Sequence, residues 1–243
     1  MPEQPAAQDY SKLFIPVSIV IAGVIIGGGL YFGLSKSEGS LGQGGVPTPS
    51  VNIKDVKTDG SPYIGKKDAK VILAYWFDYQ CPFCKAVDVG GVAGIPIQPA
   101  IPELIKAYVD TGKLKIVFKD YAFLGDDSVT AALYGHAIWK LYPEKFYEWH
   151  KAMFKAQDDE GDKGFGDEAS ILTLIKTIAG MDAAKVQADV VANKGEYQKK
   201  IDADIAEGKN FGINGTPGFI TGKTLIPGAA ELASFKAAID PQL

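Results

Sequence analysis

The sequence predicts an α/β domain with a mixed central sheet and an inserted block of helices, preceded by one membrane-spanning segment. Three observations predict it. Apolar runs of strand length at 71–77, 113–118, 218–221 and 224–226 alternate with stretches of helical periodicity. Four of the helical stretches fall together, between the second strand and the last two. Near the N-terminus, Leu13–Leu34 carries no charged residue.

That apolar stretch is long enough to cross about 30 Å of hydrocarbon. Gly27, Gly28 and Gly29 weaken a helix in water but are common in membrane spans. A cleaved leader would have a basic start and a shorter apolar core. Residues 1–12 instead hold Glu3, Asp9 and a single Lys12. The expectation is a short tail at 1–12 and an uncleaved anchor at 13–34. Lys12 and Lys36 flank the span almost evenly, so charge does not orient it. Residues 35–50 (SKSEGSLGQGGVPTPS) read as a flexible linker spanning on the order of 20–25 Å. A single domain is expected from 51 to 243, with its helical insertion at about 126–211.

Within that domain, 51–64 supplies an entry loop and a short edge strand. Val71–Phe77 is a continuous apolar run, as in a strand buried on both faces. Pro82 suits the first position of a helix. The Gly/Pro-rich stretch 90–99 should end that helix, and a second helical piece follows at about 101–109. Thr111-Gly112 leads into the strand at 113–118. Helices are expected at 129–141, 144–157, 168–179 and 182–211, the last broken near Gly195. Gly218–Thr221 and Thr224–Ile226, separated by Gly222-Lys223, read as a hairpin. Glu231–Ile239 closes the chain as a helix, with Leu232, Phe235 and Ile239 on one face.

The composition is that of a folded domain: 243 residues, 47% hydrophobic, 22% charged, net charge −4. The charges are mixed along the chain, which excludes a basic nucleic-acid-binding surface. The chemistry is concentrated in the two cysteines, Cys81-Pro82-Phe83-Cys84, placed just after a strand. Cysteines so spaced can close a disulfide within one helical turn and exchange it through a mixed disulfide, a thioredoxin-like redox pattern. Two other readings compete. A zinc site needs four ligands, and the only histidines, His136 and His150, are too far apart for the usual spacing. A structural bridge is possible, but stabilising bridges usually close longer loops. His150, among Phe146, Trp149 and Phe154, reads as a partly buried structural histidine.

The motifs around the cysteines resemble a known family. Ile64–Val71, Phe77-Asp78-Tyr79-Gln80-Cys81-Pro82-Phe83-Cys84-Lys85, Tyr108–Lys113, Lys119-Asp120-Tyr121, Phe146–His150 and Gly215-Thr216-Pro217-Gly218-Phe219 look like DsbA-like thiol–disulfide oxidoreductases, in the family's order. The resemblance implies a thioredoxin-like fold with an inserted helical domain. Helix geometry independently assigns Cys81, at the helix N-terminus, as the exposed sulfur and Cys84, one turn further in, as its more buried resolving partner. The resemblance also implies a cis Pro217 facing Cys81, with the Thr216 backbone pairing with an extended substrate segment. Phe83 and Phe219 are expected to contact substrate, and Tyr121 and Phe123 are weighed as groove residues against a place in the core. Two positions depart from the family. Its buried acid six residues before the first cysteine is Tyr75 here, which is not a comparable proton acceptor near neutral pH. Asp78 is weighed as a substitute that moves the Cys84 proton, against a plain role as a loop cap. Phe83 stands where strongly oxidising members carry histidine. It cannot donate a hydrogen bond to a thiolate, so a less oxidising disulfide is expected.

The resulting expectation is an extracytoplasmic, single-pass enzyme that donates disulfides to reduced or unfolded proteins and is re-oxidised by a quinone-linked membrane oxidase. No metal or other cofactor is implied, and the chain is expected to be a monomer. A reductase or isomerase of the same fold, or a tethered binding module with a structural disulfide, are the alternatives.

Overall fold

The computed structural model describes residues 51–158 and 163–243. The tail, anchor and linker expected at 1–50 lie outside the described residues. Among those described, no helix is long and apolar enough to cross a membrane.

Five strands of the described residues form one mixed sheet: β1 (Tyr63–Ile64), β2 (Val71–Phe77), β3 (Leu114–Asp120), β4 (Gly218–Thr221) and β5 (Thr224–Pro227), in the order β1-β3-β2-β4-β5. β2 runs parallel to β3, with Val71 opposite Leu114 and Phe77 opposite Asp120. The other pairings are antiparallel, and Tyr75 stands opposite Phe219. The apolar run of β2 has its physical reason here, because both faces are covered. Leu73, Tyr75 and Phe77 enter the larger core with Phe118, Phe154, Phe219 and Phe235. Ala74 and Trp76 point the other way, to Val51, Val56, Tyr121, Ile213 and Ile220.

Among the described residues, seven α-helices surround the sheet: α1 (Pro82–Asp88), α2 (Ala100–Leu104), α3 (Asp126–Leu141), α4 (Phe146–Ala156), α5 (Glu168–Lys176), α6 (Ala183–Asn210) and α7 (Leu232–Ile239). α1 ends where expected. Gly90 adopts φ 71°, and its N–H reaches back to Lys85 O at 3.0 Å, closing the last turn. α2 widens into a π-helical turn over Ile105–Val109, closed by Asp110 N to Ile105 O at 2.9 Å. Helices α3–α6 occupy the chain between β3 and β4.

One expectation is corrected: α6 does not break at Gly195 but runs unbroken for 28 residues. Glycine lowers helix propensity by about 1 kcal/mol without kinking the backbone, and the packing of the helix overrides that. Asp182 caps its start by accepting from Ala184 N and Lys185 N. Its far end is fixed to the sheet. Trp76 Nε1 donates to Asp204 O at 2.9 Å, and buried Lys119 on β3 bridges Asp204 and Glu207. Gly208 permits this close approach, since a Cβ there would lie 3.0 Å from the Trp76 ring and 3.2 Å from Tyr121.

Two glycines of one helix should therefore respond oppositely to alanine. Gly208→Ala is expected to destabilise the protein by about 1–3 kcal/mol through overpacking against Trp76. Gly195→Ala, where an added Cβ meets nothing within 4 Å, should stabilise it by about 0.5–1 kcal/mol through helix propensity. Urea midpoints at unchanged m-value measure both. Equal effects would show that α6 does not depend on the Trp76 contact.

Candidate active site

The site lies where β2 leaves the sheet and turns into α1. Cys81 is the helix N-cap, with extended backbone (φ −80°, ψ 119°), and Pro82 takes the next position, where a missing N–H costs nothing. The Cys81 sulfur therefore faces the free N–H groups of Phe83 and Cys84. Gln157 braces the turn from outside, donating from Nε2 to Tyr79 O at 2.6 Å and to Cys81 O at 3.1 Å.

The Thr216–Pro217 peptide bond is cis, and it lies against the cysteines. Cys81 Sγ donates to Thr216 O at 3.3 Å. The Thr216 hydroxyl, buried with no oxygen or nitrogen partner, lies against both sulfurs. Cys81, Cys84, Thr216 and Pro217 thus come together, with one correction: Cys81, expected to be the exposed sulfur, is itself buried at 4% exposure because the Thr216 carbonyl lies over it, against 0% for Cys84.

The two sulfurs are electrically unlike. A hydrogen bond from the Cys84 thiol, resisted by burial but aided by Thr216 and by the backbone N–H groups of Cys84 and Phe83, lowers the Cys81 pKa from 9.0 to about 7. Burial pushes Cys84 far the other way, helped by the thiol proton it shares with Cys81. One sulfur is prepared to be a thiolate and the other to hold its proton.

Three expected site residues are placed differently from one another. Phe83 is 47% exposed beside the sulfur, a position from which a partner can reach it. Phe219, expected to touch substrate, is instead fully buried. It is stacked on Tyr75 at 4.5 Å and edge-on to Phe235 at 4.8 Å, because its side chain falls on the core face of β4. The Asp78 carboxylate, weighed as a proton acceptor for Cys84, is committed elsewhere. It accepts from Gln80 N, Phe123 N, Leu124 N and the Ser128 hydroxyl at 2.6–3.2 Å. What Asp78 offers Cys84 is its backbone N–H. Of the weighed groove residues, Tyr121 is buried with its hydroxyl on Ile213 O, whereas Phe123 is exposed.

The sequence reading missed a second acid. Asp88, fully buried, accepts from the Tyr75 hydroxyl at 2.7 Å and pairs with His150 Nε2 at 3.2 Å. Tyr79 Oη lies 3.0 Å from His150 Nδ1. His150, expected to be partly buried, is fully buried within this set. Tyr75 in turn lies against Cys84. The signal was present in the spacing, since 81, 84 and 88 are i, i+3 and i+7 on one helix face.

The thioredoxin family matches this chain over residues 57–241. The chain belongs to the thioredoxin family. It is 27% identical over 189 residues to disulfide bond formation protein D of Bacillus subtilis (strain 168), covering 76% of this chain and 78% of that protein. It is 25% identical over 181 residues to the probable disulfide bond formation protein D of Bacillus anthracis, covering 74% and 77%. Two solved thioredoxin-like structures share the architecture. The oxidised BdbD of Bacillus subtilis superposes with TM-score 0.66 at 24% identity, over 80% of this chain and 97% of that one. The thiol-disulfide exchange protein α-DsbA2 of Wolbachia pipientis gives 0.63 at 28% identity, over 75% and 87%.

The lowered pKa sets a pH dependence that alkylation can read. A depressed thiol pKa stabilises the folded dithiol form fully above pH 9.0, the ordinary value, and that contribution is lost as pH falls through about 7. Iodoacetamide should therefore modify Cys81 with a midpoint near pH 7 and leave Cys84 unmodified across neutral pH. A midpoint near 9, or equal labelling of both, would show that the sulfurs are not differentiated.

Proposed function

We propose that this protein is an extracytoplasmic protein-disulfide oxidoreductase that donates the Cys81–Cys84 disulfide to reduced proteins. The observation that carries the reading is the asymmetry of the pair: one sulfur at a helix N-terminus with its pKa at about 7, the other more deeply buried and proton-holding. Kinship to the disulfide bond formation proteins supports the direction of exchange.

The chemistry follows from the geometry. A substrate thiolate attacks Cys81 Sγ, the Cys81–Cys84 bond breaks, and Cys84 leaves and takes up a proton. A second substrate thiolate attacks the substrate sulfur of the mixed disulfide and releases Cys81 as a thiolate. The substrate dithiol is oxidised and the protein is reduced. The helix N-terminus, the Cys84 thiol and Thr216 all favour that leaving thiolate, and stabilising it makes the disulfide more oxidising. The Thr216 backbone beside the sulfur offers a substrate segment a strand-like edge. The Phe83 side chain offers apolar contact but no hydrogen bond to the thiolate, which moderates the potential. In the cell, 13–34 serves as a membrane anchor and 35–50 as its tether, and a quinone-linked membrane oxidase restores the disulfide.

The equilibrium reduction potential of the full-length chain tests the direction. A value of about −120 to −180 mV is expected for a donor. A value of about −230 to −270 mV would instead make the protein a reductase, and one below about −300 mV would return the pair to a structural bridge. Cys81→Ser is expected to abolish exchange with a reduced protein substrate. Exchange surviving in that variant would overturn the assignment of the attacked sulfur.

A further inference from the structure

The turn that carries Cys81 is held from the helical insert as well as from the sheet, and one side chain does most of the holding. Gln157 is the C-cap of α4 and is buried. Its Nε2 has two N–H donors and meets two carbonyls, Tyr79 O at 2.6 Å and Cys81 O at 3.1 Å. Its backbone oxygen accepts from Lys85 Nζ at 2.7 Å, so the same residue also reaches α1. Gln80, between the two carbonyls, donates from Nε2 to Phe165 O at 3.1 Å. The carbonyl of Cys81 is the critical one. Pro82 has no N–H, so the peptide plane joining Cys81 to α1 can be hydrogen-bonded only through its oxygen. Lys85 N bonds that oxygen at 3.1 Å, but it belongs to α1 and turns together with the plane. Gln157 stands on another helix. Its one nitrogen holds Tyr79 O, which precedes the Cα–C bond of Cys81, and Cys81 O, which follows it. It therefore spans the rotation that sets Cys81 ψ at 119°. The Cys84 thiol and the N–H groups of Cys84 and Phe83, which serve Cys81 Sγ, all lie beyond that bond in the chain.

We propose that Gln157 is a positioning residue for the exchange reaction: it locks the rotation at Cys81 that keeps the helix N–H groups and the Cys84 thiol on the attacked sulfur. The helical insert then sets how strongly the Cys81 thiolate is held. This role presupposes the Cys81–Cys84 exchange proposed above. The step it favours is the last one. A substrate thiolate attacks the substrate sulfur of the mixed disulfide, the bond to Cys81 breaks, and Cys81 departs with the electron pair as a thiolate. Gln157 acts through the backbone of Cys81 rather than on the sulfur. Among the described residues, the titratable group that faces Cys81 Sγ is Cys84 from α1, and Thr216, ahead of β4, is uncharged. Lys85 is engaged at Gln157 O, and the Asp78 carboxylate by Gln80, Phe123, Leu124 and Ser128.

The test uses the full-length chain with Gln157→Met, which keeps the length of the side chain and removes both donors. The iodoacetamide midpoint of Cys81 should rise from about 7 by about 1 pH unit. The equilibrium with glutathione should move with it. At about pH 9 the variant should favour its own disulfide about 10-fold more than the unaltered protein, a difference of about 30 mV. At about pH 5, where both proteins hold Cys81 as a thiol, that difference should vanish. Gly208→Ala, which lowers stability away from the turn, should leave both readings unchanged. A midpoint that stays near 7 in Gln157→Met would overturn the proposal and leave Gln157 a buttress of the fold. So would a glutathione difference of equal size at every pH, because such a change acts on the disulfide rather than on the thiolate. Should Gln157→Met not fold, Gln157→Asn, one methylene short of the two carbonyls, decides: a raised midpoint supports the role, and an unchanged one overturns it. If the unaltered protein does not equilibrate with glutathione, the exchange reading itself fails, and that failure shows without any variant.

Discussion

Tyr121 N donates to Phe77 O at 2.9 Å, and beyond that bond the chain at the end of β2 leaves the sheet. The position of the redox pair depends on where this happens. β2 is held on one side by β3 over its whole length and on the other by β4, so its end cannot shift without breaking both ladders. Four residues later Cys81 caps α1. The same arrangement brings the Thr216–Pro217 bond to the sulfurs, since β4 pairs with β2 immediately after it. A strand buried on both faces is therefore the positional reference for the chemistry.

From that reference the two cysteines acquire unlike surroundings through ordinary helix geometry. The N-cap residue meets unpaired N–H groups, whereas the residue three positions on is turned into the core. Two identical thiols become one that ionises near pH 7 and one that holds its proton, through hydrogen bonds and burial among the described residues. The lowered pKa of Cys81 comes from hydrogen-bond donors, first of all the neighbouring thiol.

Much of this was legible in the sequence, for identifiable reasons. The 71–77 run, the helix start at Pro82 and the 218–226 hairpin depend on local pattern, and they appear within a residue or two of expectation. Residues whose role depends on which face they take after long-range pairing were harder to read. Phe219 sits next to a site motif in sequence, but register against Tyr75 turns it into the core. Asp78 sits nearest the cysteines, but its carboxylate is claimed by residues more than forty positions away. Gly195 looked like a break because propensity is local, while the continuity of α6 is set by Trp76 and Lys119 on the sheet. Asp88 shares a helix face with the cysteines, but its partners Tyr75 and His150 reach it only through the packing of β2 and α4 against α1.

The four hydrogen bonds to Asp78 have a consequence for how such a protein can change. One carboxylate ties the redox turn at Gln80 to the loop at Phe123 and Leu124 and to the first turn of α3 at Ser128. The first helix of the insert is therefore bolted to the residue that precedes the active-site turn. A graft that replaced the helical layer while leaving residues 123–128 behind would strand a buried acid and loosen the turn that aims Cys81. The two segments form a single inheritable unit, and a new helical layer can be fitted to this chemistry only beyond the first turn of α3.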